Sequence, residues 1–231
     1  MKRINYLLLT ATMLSFAACS NDEGTNNDNN LVEARITASA SRAIDDKWEA
    51  DAIAVTVASS PVSSMKDMYK NVKYTTTSTG TTAEFVAEQN KSIYFQDADE
   101  TVTFTAYGPY NDPNSEGDIL FSTENQNTAE TRKAVDFIYA SGVRASKSSP
   151  TVNFMFKHIM SRLVLKVTAG NGISASDITS GQYFLNGIEL NGKFNANTGT
   201  AQAITSSATQ NQQQYSLNDK VQITPVSYTH L

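Results

Sequence analysis

Hydrophobic and polar residues begin to alternate at Leu31, where Val32, Ala34, Ile36 and Ala38 fall on one side of an extended chain and Glu33, Arg35, Thr37 and Ser39 on the other. A period of two predicts a half-buried strand. The pattern returns at Ile53-Val55-Val57, Ala83-Phe85-Ala87, Val102-Phe104-Ala106, Val135-Phe137-Tyr139, Val152-Phe154-Phe156, Leu163-Leu165-Val167 and Val221-Ile223. No stretch insists on a long helix. Turn formers punctuate the runs, among them Ser78-Thr79-Gly80, Asn111-Asp112-Pro113-Asn114, Gly170-Asn171-Gly172 and Asn197-Thr198-Gly199. Many short strands separated this way predict an all-β chain of antiparallel sandwiches. Ser, Lys and Pro interrupt the pattern between Gly142 and Pro150, so we expect one sandwich over 31–145 and another over 150–231. The second is shorter than the roughly 100 residues that a seven-stranded sandwich takes. It is therefore expected to be incomplete.

Upstream of the first strand the pattern is of another kind. Lys2 and Arg3 precede an apolar run from Tyr6 to Ala18, which ends at Cys19. Basic, apolar and then small is the order of a secretory signal, here 1–18. The run is too short to span a bilayer. Its ending, Leu14-Ser15-Phe16-Ala17-Ala18-Cys19, resembles a bacterial lipoprotein signal, which implies acylation of Cys19. Two or more acyl chains suffice as a membrane anchor. Residues 19–30, dominated by Asn, Asp, Thr and Gly in their second half, read as a polar tether. Ser20-Asn21-Asp22-Glu23 resembles the acidic export signal that directs Bacteroidetes lipoproteins to the cell surface.

Composition narrows the function. Charged residues make up 18% of the chain and hydrophobic ones 40%, while Ser, Thr, Asn and Gln fill about a third. This mixture suits strand surfaces and turns and excludes a wholly disordered chain. One Cys and two His leave no disulfide framework and no Cys/His zinc site. The formal charge of −5 argues against nucleic acid as a partner. Removal of 1–18 takes Lys2 and Arg3 from the 18 basic residues, so 16 face 23 acidic ones and the charge becomes −7.

Candidate chemistry is sparse. Ser63-Ser64-Met65-Lys66 has the Ser-x-x-Lys spacing of penicillin-binding enzymes but lacks their companion motifs and reads as a loop. His158, amid strand residues, reads as a buried hydrogen-bonded histidine, and His230 lies too near the chain's end to be held rigidly. Asp112 to Ile119 matches the front of a calcium loop, with Thr123 where its glutamate belongs, and reads as a polar turn. Asp97, Asp99 and Glu100 read as a solvated turn, and Asn90-Lys91-Ser92 fits a glycosylation pattern. No metal, cofactor or enzymatic activity is expected. Trp48, Tyr107 and Tyr110 read as core or rim aromatics and are the ones that could stack on sugar rings if exposed.

Several short motifs recur in a recognisable order: Ser41-Arg42-Ala43; Trp48-Glu49-Ala50-Asp51-Ala52-Ile53-Ala54-Val55; Ile93-Tyr94-Phe95; Phe104-Thr105-Ala106-Tyr107-Gly108-Pro109-Tyr110; Asp136-Phe137-Ile138-Tyr139-Ala140; Phe154-Met155-Phe156-Lys157-His158; and Gly192-Lys193-Phe194-Asn195. Together with Cys19 they resemble the fimbrillin family of Bacteroidetes, the lipoprotein pilins and their Mfa-like relatives. The chain departs from the family in Ala50-Asp51, where Gly-Asp is usual. Family members usually run longer, and Val226 to Leu231 reads like a translated adaptor, so a missing C-terminus is expected.

The resemblance implies two transthyretin-like β-sandwiches and a fimbrial shaft, tip or anchor subunit serving adhesion. The implied route is export as an outer-membrane lipoprotein held by acylated Cys19, followed by cutting by an Arg-specific protease. Loss of the first strand would then let another pilin subunit supply a replacement. Arg42, just past the alternating strand, is the expected cut site. Arg35, inside that strand, is the lesser candidate. The removable strand would place Val32, Ala34, Ile36 and Ala38 in the core. The alternative is a surface lipoprotein that binds glycans and never polymerises.

Overall fold

The computed structural model describes residues 31–39, 47–48, 51–61, 63–126, 128–163, 171–172, 174, 176–177, 182–205 and 212–216. Cys19, the signal and tether, Arg42, Leu165, Val167, Val221, Ile223 and His230 lie outside them. Alternation becomes strand wherever one face finds an apolar partner. In chain order the elements are β1 (Val32–Glu33), β2 (Arg35–Ser39), β3 (Ala52–Ser59), α1 (Ser63–Met68), β4 (Val72–Thr75), β5 (Thr82–Ala87), β6 (Tyr94–Phe95), β7 (Thr101–Gly108) and β8 (Asp118–Ser122). They continue as α2 (Ala129–Lys133), β9 (Ile138–Ser146), β10 (Thr151–Met155), β11 (Lys157–His158), β12 (Gln182–Asn186), β13 (Asn191–Asn195), β14 (Thr200–Ala203) and β15 (Gln212–Ser216). Among the described residues the structure is all-β apart from two short helices.

Eight strands form one sheet in the order β10-β2-β5-β4-β3-β7-β9-β11. Inward side chains from both halves of it meet in one core, where Ile36 and Phe154 share a cluster with Val55, Phe104 and Ile138. That requires the sheet to curl over on itself. Trp48 is fully buried in this core, edge-on to Phe85 at 5.0 Å and to Phe156 at 5.7 Å. One pairing departs from the antiparallel expectation, because β10 runs parallel to β2 from Thr151↔Arg35 to Met155↔Ser39. The segment from Gly142 to Pro150, expected to separate one sandwich from the other, is the end of β9 and its turn into β10. Strands of the same sheet lie on both sides of it.

A second cluster covers the other face of β3 and β7. Ala54 and Tyr107 point away from the first core and meet Ile119, Phe137, Met160 and Phe194. Phe194 lies flat on Phe137, with ring centres 4.5 Å apart and planes 10° from parallel. It is carried by a three-stranded sheet ordered β14-β13-β8. That sheet pairs β8, from the first half of the chain, with β13, from the second. Where β13 turns into β14, Gly199 adopts φ +66° and presses on the Tyr139 ring, so a side chain there meets both strain and collision.

Candidate functional site

The segment 32–39 and the groove that holds it form the site that the sequence singles out. Small and branched residues alternate with polar ones, so the chain there is extended and one row of side chains enters the core. The backbone serves two sheets in succession. β1 pairs antiparallel with β6 through Val32↔Phe95 and Glu33↔Tyr94, and the Ala34 N–H donates to the Ile93 carbonyl at 2.8 Å. β2 then lies between two neighbours, parallel to β10 and antiparallel to β5, with Ile36↔Phe85 and Ser39↔Thr82 bounding the second register.

Ala34, Ile36 and Ala38 are almost wholly buried, at 2%, 2% and 1% exposure. Val32 is half-buried and packs against the same core. On the outer face the Thr37 hydroxyl donates to Asn153 Oδ1 at 3.2 Å, linking β2 to β10 through side chains as well. Without this segment, β5 and β10 would present two facing edges of unpaired backbone groups above one deep pocket and two shallow ones. Open edges of that kind are templates for another strand. The Arg35 side chain is exposed, but its N–H donates to the Pro150 carbonyl at 2.9 Å and the residue is paired with Thr151 of β10. A protease needs an extended, unpaired chain, which Arg35 does not offer.

Two of the three aromatics considered for sugar stacking are unavailable. Trp48 is buried, and Tyr107 is 3% exposed with its hydroxyl 2.6 Å from both Asn71 Oδ1 and the Asn111 carbonyl, which share its one proton. Burial pushes the Tyr107 phenol far above its ordinary value, and burial likewise pushes Tyr74 up to about 12. Tyr110 is half-buried, its hydroxyl donating to Asp112 Oδ1 at 2.9 Å.

His158 Nδ1 lies 2.9 Å from Asp136 Oδ1, both side chains largely buried. This contact ties two of the sequence motifs to each other. The calcium-like loop is a turn whose oxygens are already engaged. Asn114 Oδ1 accepts from the Glu116 and Asp118 N–H groups, and Asp118 accepts from Lys193 Nζ at 2.8 Å and Asn195 Nδ2 at 2.7 Å. Those partners, the Lys193 hydrogen bond foremost, hold the Asp118 carboxyl below its ordinary value, and Asp118 in turn raises the Lys193 ammonium. Glu100 is not solvated as expected. It is 2% exposed and accepts from the Gln96 N–H and the Ser60 hydroxyl. Lys66 is exposed on α1 rather than in a loop.

Among the described residues no cluster of three or more His, Cys, Asp or Glu could hold a metal ion, and no helix is long and apolar enough to cross a membrane. The groove's far wall, β10, was not legible as a partner of β2. The alternation Val152-Phe154-Phe156 marked it as a strand and no more.

Residues 41–230 match the fimbrillin-like family. Fim1C of Bacteroides uniformis, named as a fimbrium subunit, is 28% identical over 171 residues, 73% of this chain and 55% of the relative. The chain thus spans about half the length of that curated relative. In structure it is similar to a Bacteroides ovatus protein described as a cell adhesion protein, at TM-score 0.66 and 23% identity over 84% of this chain and 76% of that one. A Bacteroides uniformis protein described in the same words gives TM-score 0.66 and 22% identity over 84% and 73% of the two chains.

Proposed function

This chain belongs to the fimbrillin-like family, and from that premise we propose that it is a structural subunit of a surface fimbrium, without catalytic activity, that assembles by strand exchange and serves adhesion. In this reading Cys19 is acylated and holds the precursor in the outer membrane. An Arg-specific protease then cuts after Arg42, and a strand from another pilin subunit takes the place of 32–39. The observation that carries the reading is the seat of that segment, paired along both edges and inserting Ala34, Ile36 and Ala38 into the core. Such a strand leaves a groove that only another strand satisfies, because buried backbone donors and acceptors need partners. The pairing at Arg35 supports Arg42 as the cut site. Burial of Trp48 and Tyr107 withdraws support from a glycan-binding module that never polymerises.

Limited trypsin digestion followed by removal of the freed segment in mild denaturant tests the scheme. The stable fragment should begin at Ala43, bind a labelled peptide of residues 31–39, and refuse the same peptide with Asp at position 36. A fragment that begins elsewhere while Arg42 stays resistant sinks the processing step. A fragment that folds and binds neither peptide sinks the exchange.

A further inference from the structure

A cleft of about 440 Å³ lies over the outer faces of β3 and β7, between the end of α1 with the residues that follow it and the loops at 113–117 and 196–197. We propose that it binds an acidic saccharide, a sugar that carries a carboxylate or a sulfate. As a ligand for adhesion this rests on the reading above. None of the residues that build the cleft belongs to 32–39, β5 or β10, so the exchange and the cleft stand or fall separately.

The floor is a pair of threonines. Thr56 and Thr105 stand opposite each other in the β3–β7 register, both half-buried, and their neighbours Val55 and Phe104 turn the other way into the first core. The Thr56 hydroxyl accepts the Asn71 N–H at 2.9 Å and keeps its own proton to donate, while the Thr105 hydroxyl has no hydrogen-bond partner among the described residues. Lys66 and Lys70, both exposed, form one rim, and Ser115 and Asn197 form the other. Asn197 is set in place at both ends of its peptide unit: its N–H donates to Asn195 Oδ1 at 3.1 Å and its carbonyl accepts from the Tyr139 hydroxyl at 2.9 Å. Its side-chain amide lies over Gly117, at φ +85°, where any side chain would collide with it.

Charge decides what suits the cleft. Its lining has two ammonium groups and no carboxylate, in a chain whose formal charge is −5. Lys70 has Asp67 at 3.4 Å, outside the lining and exposed, and Lys66 has no ion pair among the described residues. A concave surface lined by one sign of charge gathers ligands of the other. An acidic peptide would answer the charge, but β3 and β7 each have a strand along both sides, so no open edge is there for a peptide backbone to pair with. The hydroxyls of Thr56, Thr105 and Ser115 and the amide of Asn197 both donate and accept, as sugar hydroxyls require.

Titration calorimetry on the 231-residue chain tests the proposal. The probes are a galacturonate tetrasaccharide, a sulfated galactose tetrasaccharide without carboxylates, a neutral glucose tetrasaccharide and tetraglutamate. At least one acidic saccharide is expected to bind, at least tenfold tighter than the neutral sugar or tetraglutamate, and less tightly as salt is added. Which of the two binds separates carboxylate from sulfate. Lys66→Gln combined with Lys70→Gln, both at exposed positions, should weaken binding at least tenfold, and Thr105→Val at least threefold. Lys73→Gln and Lys91→Gln, outside the lining, should stay within twofold of the parent. Failure of both acidic saccharides to bind, indifference to the paired lysine substitutions, tetraglutamate binding as tightly as the sugar, or an equal loss on Lys73→Gln or Lys91→Gln would each overturn the proposal.

Discussion

β2 and β13 are both five-residue strands that insert into a core and pair along both edges, five residues on one side and four on the other, yet side chains add far more to the hold on β13 than on β2. β13 is fastened by side chains: Phe194 stacks on Phe137 and leans on Tyr107, Lys193 pairs with Asp118, and the turn that follows is wedged against Tyr139. β2 is fastened chiefly by backbone, paired with β10 on one side and β5 on the other, and of its own residues only Ile36 and Ala38 go deep. Backbone bonds are the same whatever the sequence, and small inward residues set an undemanding template. A strand held in this way can be replaced by another of compatible pattern. A strand held by stacked aromatics and a specific ion pair cannot.

The sharpest break in this contrast is Phe194→Ala. It removes the ring from a two-sided aromatic contact and should cost about 3–5 kcal/mol, read from urea unfolding. A loss under 1 kcal/mol would mean that β13 is no better fastened by side chains than β2. Next in size is Ala38→Leu, at 1% exposure. Overpacking at that shallow pocket should cost about 1–3 kcal/mol, whereas Thr37→Val, on the outer face of the same strand, should cost about 1 kcal/mol or less. Equal costs for the two would deny the pocket its selectivity.

The smallest effect is electrostatic. Asp118 titrates below its ordinary 3.8 because of Lys193 and Asn195. Its contribution is therefore complete above that value and disappears as pH falls through the depressed one. The raised Lys193 contributes fully below its ordinary 10.5 and loses the contribution as pH rises through the higher value. The stability gap between the parent and Asp118→Asn should hold steady from pH 5 to 9, shrink at either extreme and narrow with added salt. A gap that grows on acidification contradicts the pairing.

Much of this was written in the hydrophobic pattern. Ile53, Val55 and Val57, or Val102, Phe104 and Ala106, alternate because one face is apolar, and period two survives any tertiary context. The parallel seat of β2 beside β10 was not legible, because alternation sets which face is buried and carries no information about which strand lies alongside or which way it runs. Asp118 and Lys193 sit 75 residues apart, and no local spacing announces their pairing. Trp48 and Tyr107 show the converse limit: sequence names an aromatic but cannot say whether its ring faces sugar or core. α2 escaped notice because its cap is Thr128 reciprocated by Thr131 rather than by Glu or Gln.

The placement of β2 has a mechanical meaning. Antiparallel backbone bonds lie perpendicular to the strands and parallel ones lie at a slant, so tension along the axis of 35–39 bears on five pairings with β10 and four with β5 at once. The strand slides as a block or not at all. Peeling from the side would instead break the same bonds one after another at far lower force. A filament whose joints repeat this seat, with the load running along each inserted strand, resists pulling by sharing it across a row of weak bonds, none of which is strong alone.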